Sequence, residues 1–253
     1  MKHVAGEQKI NFVKTFERIL KSSIFFILKL IFPELSSKSH DIVISRAFDA
    51  PWKTDEEFQK LYKSVKNHTL NDIQRLYTLW SLAQQVKNNE GDFIEVGCWK
   101  GGTGAIISYA LNDGESKKIL CDTFEGIPKI HGKNDPNYKG GEHAGASKLE
   151  VEKLLQGLNI NNFKVIEGIF SDTSIENCNI KSIKFAHLDV DTYESTSNIF
   201  DIIEGWLSKN SIVVIDDFNI HKAIGIKKFI QEINLEEYFV INNFVGQAIL
   251  IKK

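Results

Sequence analysis

The chain has 253 residues, 42% hydrophobic and 25% charged, an ordinary composition for a globular protein with a sizeable core, which excludes a disordered, fibrous or small disulfide-stapled chain. Lys plus Arg (31) against Asp plus Glu (33) leaves a formal charge of −2 and a pI near 6.4, so nothing favours a long polyanion and nucleic acid is not an expected partner. Cys98, Cys121 and Cys178 show no CxxC spacing, which points to neither a disulfide framework nor a zinc knuckle and fits a reducing, cytoplasmic setting.

Of the N-terminal apolar runs Ile24 to Leu28 and Leu30 to Phe32, the longer is bracketed by Lys21 and Lys29. They fall short of the roughly 18 uninterrupted apolar residues of a membrane span. Apolar residues at helical spacing predict one amphipathic helix over 9–32, stopped by Pro33. Residues 1–40 hold seven Lys or Arg against three Glu, a local charge of +4. Two readings of this helix stay open: contact with an anionic membrane surface, or packing on the main domain or another subunit. Residues 1–54 are expected to form a helical extension and 55–253 the main domain.

Phe58, Leu61, Tyr62 and Val65, then Ile73, Leu76, Tyr77, Trp80 and Ala83, continue the helical period to residue 90. At Gly91 the period changes. Asp92 to Gly97 reads as a short buried strand, followed by Gly101, Gly102 and Gly104 and a helix over Ala105 to Leu111. Strand and helix candidates then alternate: Lys118 to Asp122, Val151 to Leu158, Phe163 to Glu167, Ile183 to Asp191, Ser195 to Leu207, Ser211 to Asp217 and Ile224 to Ile233. Such alternation implies crossovers and a largely parallel α/β sheet. Tyr238 to Ile241, Asn242-Asn243 and Phe244 to Ile251 read as a closing antiparallel hairpin with a tight polar turn.

In such a sheet, ligands gather at the carboxyl ends of the strands near the point where strand order reverses. After the first strand, Gly97, Gly101 and Thr103 belong to a glycine-rich turn opening a helix, whose free N–H groups suit a ligand approached by bare backbone. The spacing is not GxGxxG, and Trp99 and Lys100 stand where a dinucleotide pyrophosphate needs open backbone. Glu95 suits a ligand carrying an ammonium group. Asp122, opening Asp122-Thr123-Phe124, suits the two hydroxyls of a ribose or serves as a helix cap. Asp172, after Ser171, accepts from an adenine amino group or caps the next helix. Asp189, Asp191, Asp216 and Asp217 are expected to converge, because residues two apart on a strand share a face and the adjacent strand ends beside them. Grouped carboxylates repel unless a cation neutralises them, and an all-oxygen set suits Mg²⁺, Mn²⁺ or Ca²⁺ rather than zinc.

Glu95-Val96-Gly97, Asp122 to Pro128, Gly168 to Thr173, Asp189 to Thr196 and Ile215 to Phe218 resemble, in order, the motifs of the macrocin O-methyltransferase family. The resemblance covers roughly residues 75–253. It implies a Rossmann-like class I methyltransferase fold with a seven-stranded sheet, and a metal-dependent enzyme that transfers the methyl group of S-adenosylmethionine to a sugar hydroxyl. It further implies that Glu95, Gly97, Asp122 and Asp172 bind S-adenosylmethionine, that Asp189, Asp216 and Asp217 ligate Mg²⁺ or Mn²⁺, and that Asp191 is the general base, a role some members give to a His. Gly101, Thr103, Thr123, Phe124, Ser171 and Asp189 complete the expected cofactor-binding set. The sequence after Asp217, Phe218 to Lys222, and residues 1–54 depart from the family pattern.

His221 and His143 are the alternative bases. Residues 128–147, rich in Gly and Lys, read as a lid over the acceptor or as a plain loop. Their Lys129, Lys133 and Lys139 suit a phosphorylated or nucleotide-linked sugar, used in surface-glycan or natural-product biosynthesis, and a homo-oligomer is expected. The rival readings are a catechol-type phenolic O-methyltransferase, a non-catalytic binding module, and an NAD-dependent short-chain dehydrogenase or sugar epimerase. The last fails on order, because the YxxxK pair Tyr62 and Lys66 precedes the glycine turn.

Overall fold

The computed structural model describes residues 19–20, 22–24, 26–31, 49–111, 114–129 and 133–253, with the backbone alone for Asp172 and Thr173. The chain divides into two compact units, residues 1–49 and 50–253. In the first, the described residues between 19 and 31 are helical, and Ile24, Phe26, Ile27 and Leu30 among them are exposed. The rest of the helix expected over 9–32 lies outside the described residues. Among those residues no helix is long and apolar enough to cross a membrane.

The second unit starts with three helices, α1 (Pro51–Thr54), α2 (Glu56–Val65) and α3 (Ile73–Val86). Asp55 caps α2 by accepting from the Phe58 N–H, and its other oxygen accepts from Trp80 Nε1 at 3.0 Å, tying α2 to α3. Then follow β1 (Asp92–Val96), α4 (Gly102–Ala110), β2 (Lys118–Asp122), α5 (Lys148–Gly157), β3 (Phe163–Glu167), α6 (Asp172–Glu176) and β4 (Ile183–Leu188). The chain closes with α7 (Tyr193–Glu204), β5 (Leu207–Ile215), α8 (Ile224–Glu232), β6 (Tyr238–Asn242) and β7 (Ala248–Lys252). The seven strands form one sheet in the order β3-β2-β1-β4-β5-β7-β6, with β7 antiparallel to both neighbours and all other pairs parallel. Strand order reverses between β1 and β4, as the alternating pattern implied.

Strand alternation divides the core into two layers. Ile94, Val96, Ala186, Leu188, Val213 and Ile215 face one layer, filled by α7 and α8 through Phe200, Ile203, Ile226 and Phe229. Phe93, Phe185, Ile212 and Val214 face the other, filled by α2 to α5 through Phe58, Trp80, Ile106 and Leu155. Because both faces are covered, the central strands are continuous apolar runs. The polar interruptions Glu95 and His187 lie on the α3 side, in register with each other and with Val214. Asp216 follows two residues beyond Val214 on that same side.

Two sequence expectations are corrected. The hairpin turn is longer than Asn242-Asn243: Asn243 Oδ1 accepts from the Val245 and Gln247 N–H groups and Phe244 takes φ 57°, so β7 starts at Ala248. The fourth strand stops at Leu188, which places Asp189 and Asp191 in a loop rather than on a strand face.

At the β1 turn, Gly97 has φ 88°, and a Cβ there would collide with the Asp189 carbonyl oxygen. Gly97→Ala is therefore expected to lower unfolding free energy by at least about 2 kcal/mol, from strain plus clash. Urea unfolding checks this, and a loss below about 0.5 kcal/mol would show that the turn relaxes freely.

Candidate active site

A cleft of about 550 Å³ opens at the carboxyl ends of the strands, at the reversal point. Of the residues singled out from sequence, Gly97, Thr103, Asp122, Thr123, Asp189, Asp191 and Asp217 line it. Asp122 Oδ2 accepts from the Trp99 N–H at 2.7 Å and Oδ1 from the Phe124 N–H at 2.8 Å, so this carboxylate joins the turns after β1 and β2. It caps no helix; it closes a turn and keeps unused lone pairs toward the cleft.

Other expected residues lie elsewhere. Glu95 does not meet the cleft: its carboxylate is fully enclosed beneath α4, with Oε1 2.8 Å from His187 Nδ1. This follows from strand alternation, which turns Glu95 toward the α3 layer. Gly101, with φ 83°, serves the start of α4 rather than lining the cleft. Phe124 is partly buried against the core layer filled by α2 to α5 and does not line the cleft. The Ser171 hydroxyl pairs with that of Ser174. Asp172 begins α6, and its side chain lies outside the described residues. Of the alternative bases, His143 lines the cleft mouth, while His221 is exposed and outside the lining. Lys129 lines the mouth; Lys133 and Lys139 do not.

By loop geometry the aspartates fall into two groups that share Asp189, rather than into the one set of Asp189, Asp216 and Asp217 expected from sequence. Asp191 takes φ 64° and Asp217 φ 58°, left-handed conformations that fold each chain back past its strand end. Carboxylate oxygens of Asp189, Asp191 and Asp217 lie within 4.8 Å of one another, as do ligand atoms of His187, Asp189 and Asp216. Burial drives the Asp189 and Asp191 carboxyls up, and burial with the neighbouring Asp216 and Asp191 charges pushes Asp217 up to about 7. Ionising Asp217 as pH rises through that value returns charge to the cluster and weakens the fold unless a cation is supplied. Asp216 behaves oppositely: burial alone would raise it, but His187 and Arg75 outweigh that and hold it low.

Sequence reading missed the cluster's donors. Arg75, on the first turn of α3, places Nη1 3.1 Å from Asp216 Oδ1 and 3.1 Å from Asp217 Oδ1. Asn71 Nδ2 donates to Asp216 Oδ2 at 2.6 Å and approaches Asp189 Oδ2 at 3.5 Å. His187 is fully buried between Glu95 and Asp216, with Nε2 3.7 Å from Asp216 Oδ2. Burial would depress its pKa, yet the flanking carboxylates push it up to about 10. Its Nε2, which has no hydrogen-bond partner, lies within 4.8 Å of the ligand oxygens of Asp189 and Asp216, so His187 either balances their charge or joins them as a ligand. The all-oxygen group is Asp189, Asp191 and Asp217, a set of the kind that fits a hard divalent ion.

Above the cluster, the described part of 128–147 is tied down. Tyr138 donates its O–H to Asp191 Oδ1 at 2.9 Å, Asp135 Oδ2 accepts from the Tyr193 N–H at 3.0 Å, and Asn137 Nδ2 donates to the Lys222 carbonyl at 3.0 Å. His131 of this stretch lies outside the described residues.

The Tyr138 hydrogen bond favours ionised Asp191. In Tyr138→Phe the Asp191 carboxyl is expected to titrate at higher pH than in wild type, read by ¹³C NMR of side-chain carboxyls. An unchanged or lower titration point would contradict that role.

A profile of the family described as Macrocin-O-methyltransferase (TylF) matches residues 21–242. An 8-demethyl-8-(2,3-dimethoxy-alpha-L-rhamnosyl)-tetracenomycin-C 4'-O-methyltransferase of Streptomyces olivaceus is 27% identical over 166 residues, 60% of this chain and 63% of the relative. A demethyldecarbamoylnovobiocin O-methyltransferase of Streptomyces niveus is 26% identical over 167 residues, 60% of this chain and 62% of the relative. The matched region thus spans less than two thirds of either relative's length. The crystal structure of CalS11, a calicheamicin methyltransferase, superposes with a TM-score of 0.63 at 21% identity, covering 85% of this chain and 99% of that one, a likeness of fold. With a profile match over most of its length, the chain belongs to the macrocin O-methyltransferase family.

Proposed function

We propose that this protein is an S-adenosylmethionine-dependent O-methyltransferase whose acceptor is a sugar hydroxyl, with a divalent cation such as Mg²⁺ or Mn²⁺ held by Asp189, Asp216 and Asp217 and with Asp191 as general base. The observation that carries this reading is the meeting, in one cleft, of the Gly97 turn and Asp122 with Asp189, Asp191 and Asp217, while Asp216 is buried and does not line the cleft. The catalytic machinery lies within the second compact unit, residues 50–253, so the boundary expected at 54/55 moves to 49/50 and the helix Pro51–Thr54 belongs with the methyltransferase domain.

Bound S-adenosylmethionine supplies an electrophilic methyl group on a sulfonium, and the divalent ion supplies acidity to an alcohol hydroxyl that is otherwise a poor nucleophile. The chain's own residues do the rest. The Gly97 turn and the N-terminus of α4 offer close backbone approach and N–H donors, and Asp122 has acceptor capacity for a pair of ribose hydroxyls. Asp191 takes the acceptor's proton on its carboxylate, which Tyr138 orients by its hydrogen bond to Oδ1. The segment around Asp135, Asn137 and Tyr138 brings Tyr138 into the cleft lining beside Asp191.

The rhamnosyl group in the name of the Streptomyces olivaceus relative supports a sugar acceptor. Lys129 at the cleft mouth suits a nucleotide-linked or otherwise phosphorylated one, made for a surface glycan or a natural product.

The test is incubation with methyl-labelled S-adenosylmethionine and a panel of nucleotide sugars and catechols, with EDTA or with added Mg²⁺. Transfer to a sugar that EDTA abolishes and Mg²⁺ restores is expected, and Asp191→Asn should lower kcat by about 10²-fold to 10⁴-fold while S-adenosylhomocysteine affinity stays within about twofold. Transfer to catechols alone would move the acceptor class. Full speed in EDTA would remove the ion from the reaction, and substantial Asp191→Asn turnover would move the base.

A further inference from the structure

Arg75 stands in a position that the methyl-transfer chemistry does not require. Its Nη1 lies 3.1 Å from one oxygen of Asp216 and 3.1 Å from one oxygen of Asp217, so a single donor bridges the two carboxylates. The arm is fixed at its other end. Asp72 Oδ1 caps α3 by accepting from the Gln74 and Arg75 N–H groups, while Asp72 Oδ2 lies 3.1 Å from Arg75 Nε. The guanidinium is thus held at the first turn of its own helix and aimed at the acidic cluster, and its side chain is only 15% exposed.

We propose that Arg75 is a built-in counter-cation of the acidic cluster that competes with the divalent ion for the oxygens of Asp216 and Asp217, and so sets the affinity of the site for that ion. The inference rests on the reading that Asp189, Asp216 and Asp217 hold a divalent cation. An ion held by oxygens of Asp216 or Asp217 would compete with Nη1 for them and would face a second positive charge, where repulsion in a partly buried site is strong. Arg75 therefore acts with opposite sign in two conditions. Without the ion it relieves repulsion among carboxylates and supports the fold; with the ion it opposes binding.

Asn71 shares the first of these tasks without the second. Its amide donates to Asp216 Oδ2 and carries no net charge, so it orders the carboxylate without repelling a cation. At Asp216, Asn71 donates to Oδ2, which His187 Nε2 also faces at 3.7 Å, while Arg75 and the Asp217 N–H donate to Oδ1.

Two variants test this. Arg75→Met removes the charge and keeps most of the packing volume, and Asp72→Asn keeps a capping side chain while releasing the ion pair to Nε. Mn²⁺ binding is measured on the full chain by the EPR signal of free Mn²⁺, and melting temperature is followed in EDTA and in saturating Mn²⁺. Arg75→Met is expected to bind Mn²⁺ about tenfold more tightly than wild type and to melt lower in EDTA, the deficit shrinking as Mn²⁺ saturates. Asp72→Asn is expected to bind about twofold to fivefold more tightly, because the guanidinium is freer to leave. Equal or weaker Mn²⁺ binding in a folded variant would overturn the proposal. Should Arg75→Met fail to fold in both conditions, the Asp72→Asn affinity decides. Wild-type protein that binds S-adenosylhomocysteine but no Mn²⁺ would instead overturn the ion reading itself, and this proposal with it.

Discussion

Burying carboxylates beside one another is the constraint around which this site is organised. Asp189, Asp191, Asp216 and Asp217 gather after β4 and β5, largely out of water, where like charges repel strongly. The fold meets the cost in several ways. His187 and Arg75 place positive charge against Asp216, Asn71 and Tyr138 donate hydrogen bonds to Asp216 and Asp191, and raised proton affinity leaves part of the cluster neutral near pH 7. Under the proposed function a bound cation would relieve the repulsion that the protons and donors only moderate.

The compensating groups come from distant parts of the chain. Arg75 and Asn71 precede the first strand, His187 sits within β4, and Tyr138 comes from the segment between β2 and α5. The helices before the sheet are therefore part of the site as well as of the core. Asp55 and Asp72 fix where α2 and α3 begin, and the start of α3 fixes where Arg75 points. A change in that capping would be felt at the carboxylates, although the two lie far apart in sequence.

Much of this was legible in the residues. Alternating apolar runs and glycine turns announce a mostly parallel sheet, and acids just after strands mark its ligand-bearing edge. The details that escaped did so for physical reasons. Glu95 ends a strand, as a ligand-binding acid would, but the period of two turns it into the α3 layer, where it meets His187. Asp189 and Asp191 were expected to converge by that same period; left-handed backbone at Asp191 and Asp217 brings them together instead, and a sequence does not announce positive φ outside glycine and asparagine. Arg75 and Asn71 lie in a stretch whose helical pattern carries no chemistry of its own, and only the packing of α3 on the sheet reveals them. An Asp cap followed three residues later by an Arg was the one available signal.

The central claim is that one divalent ion sits among Asp189, Asp216 and Asp217 within reach of Asp191. The most direct measurement is a crystal structure with S-adenosylhomocysteine and Mn²⁺, with anomalous differences collected at the manganese edge. The account predicts a single strong peak bonded to oxygens of those three aspartates at about 2.2 Å. A peak elsewhere, or none there with the cofactor product bound in the cleft, would contradict it.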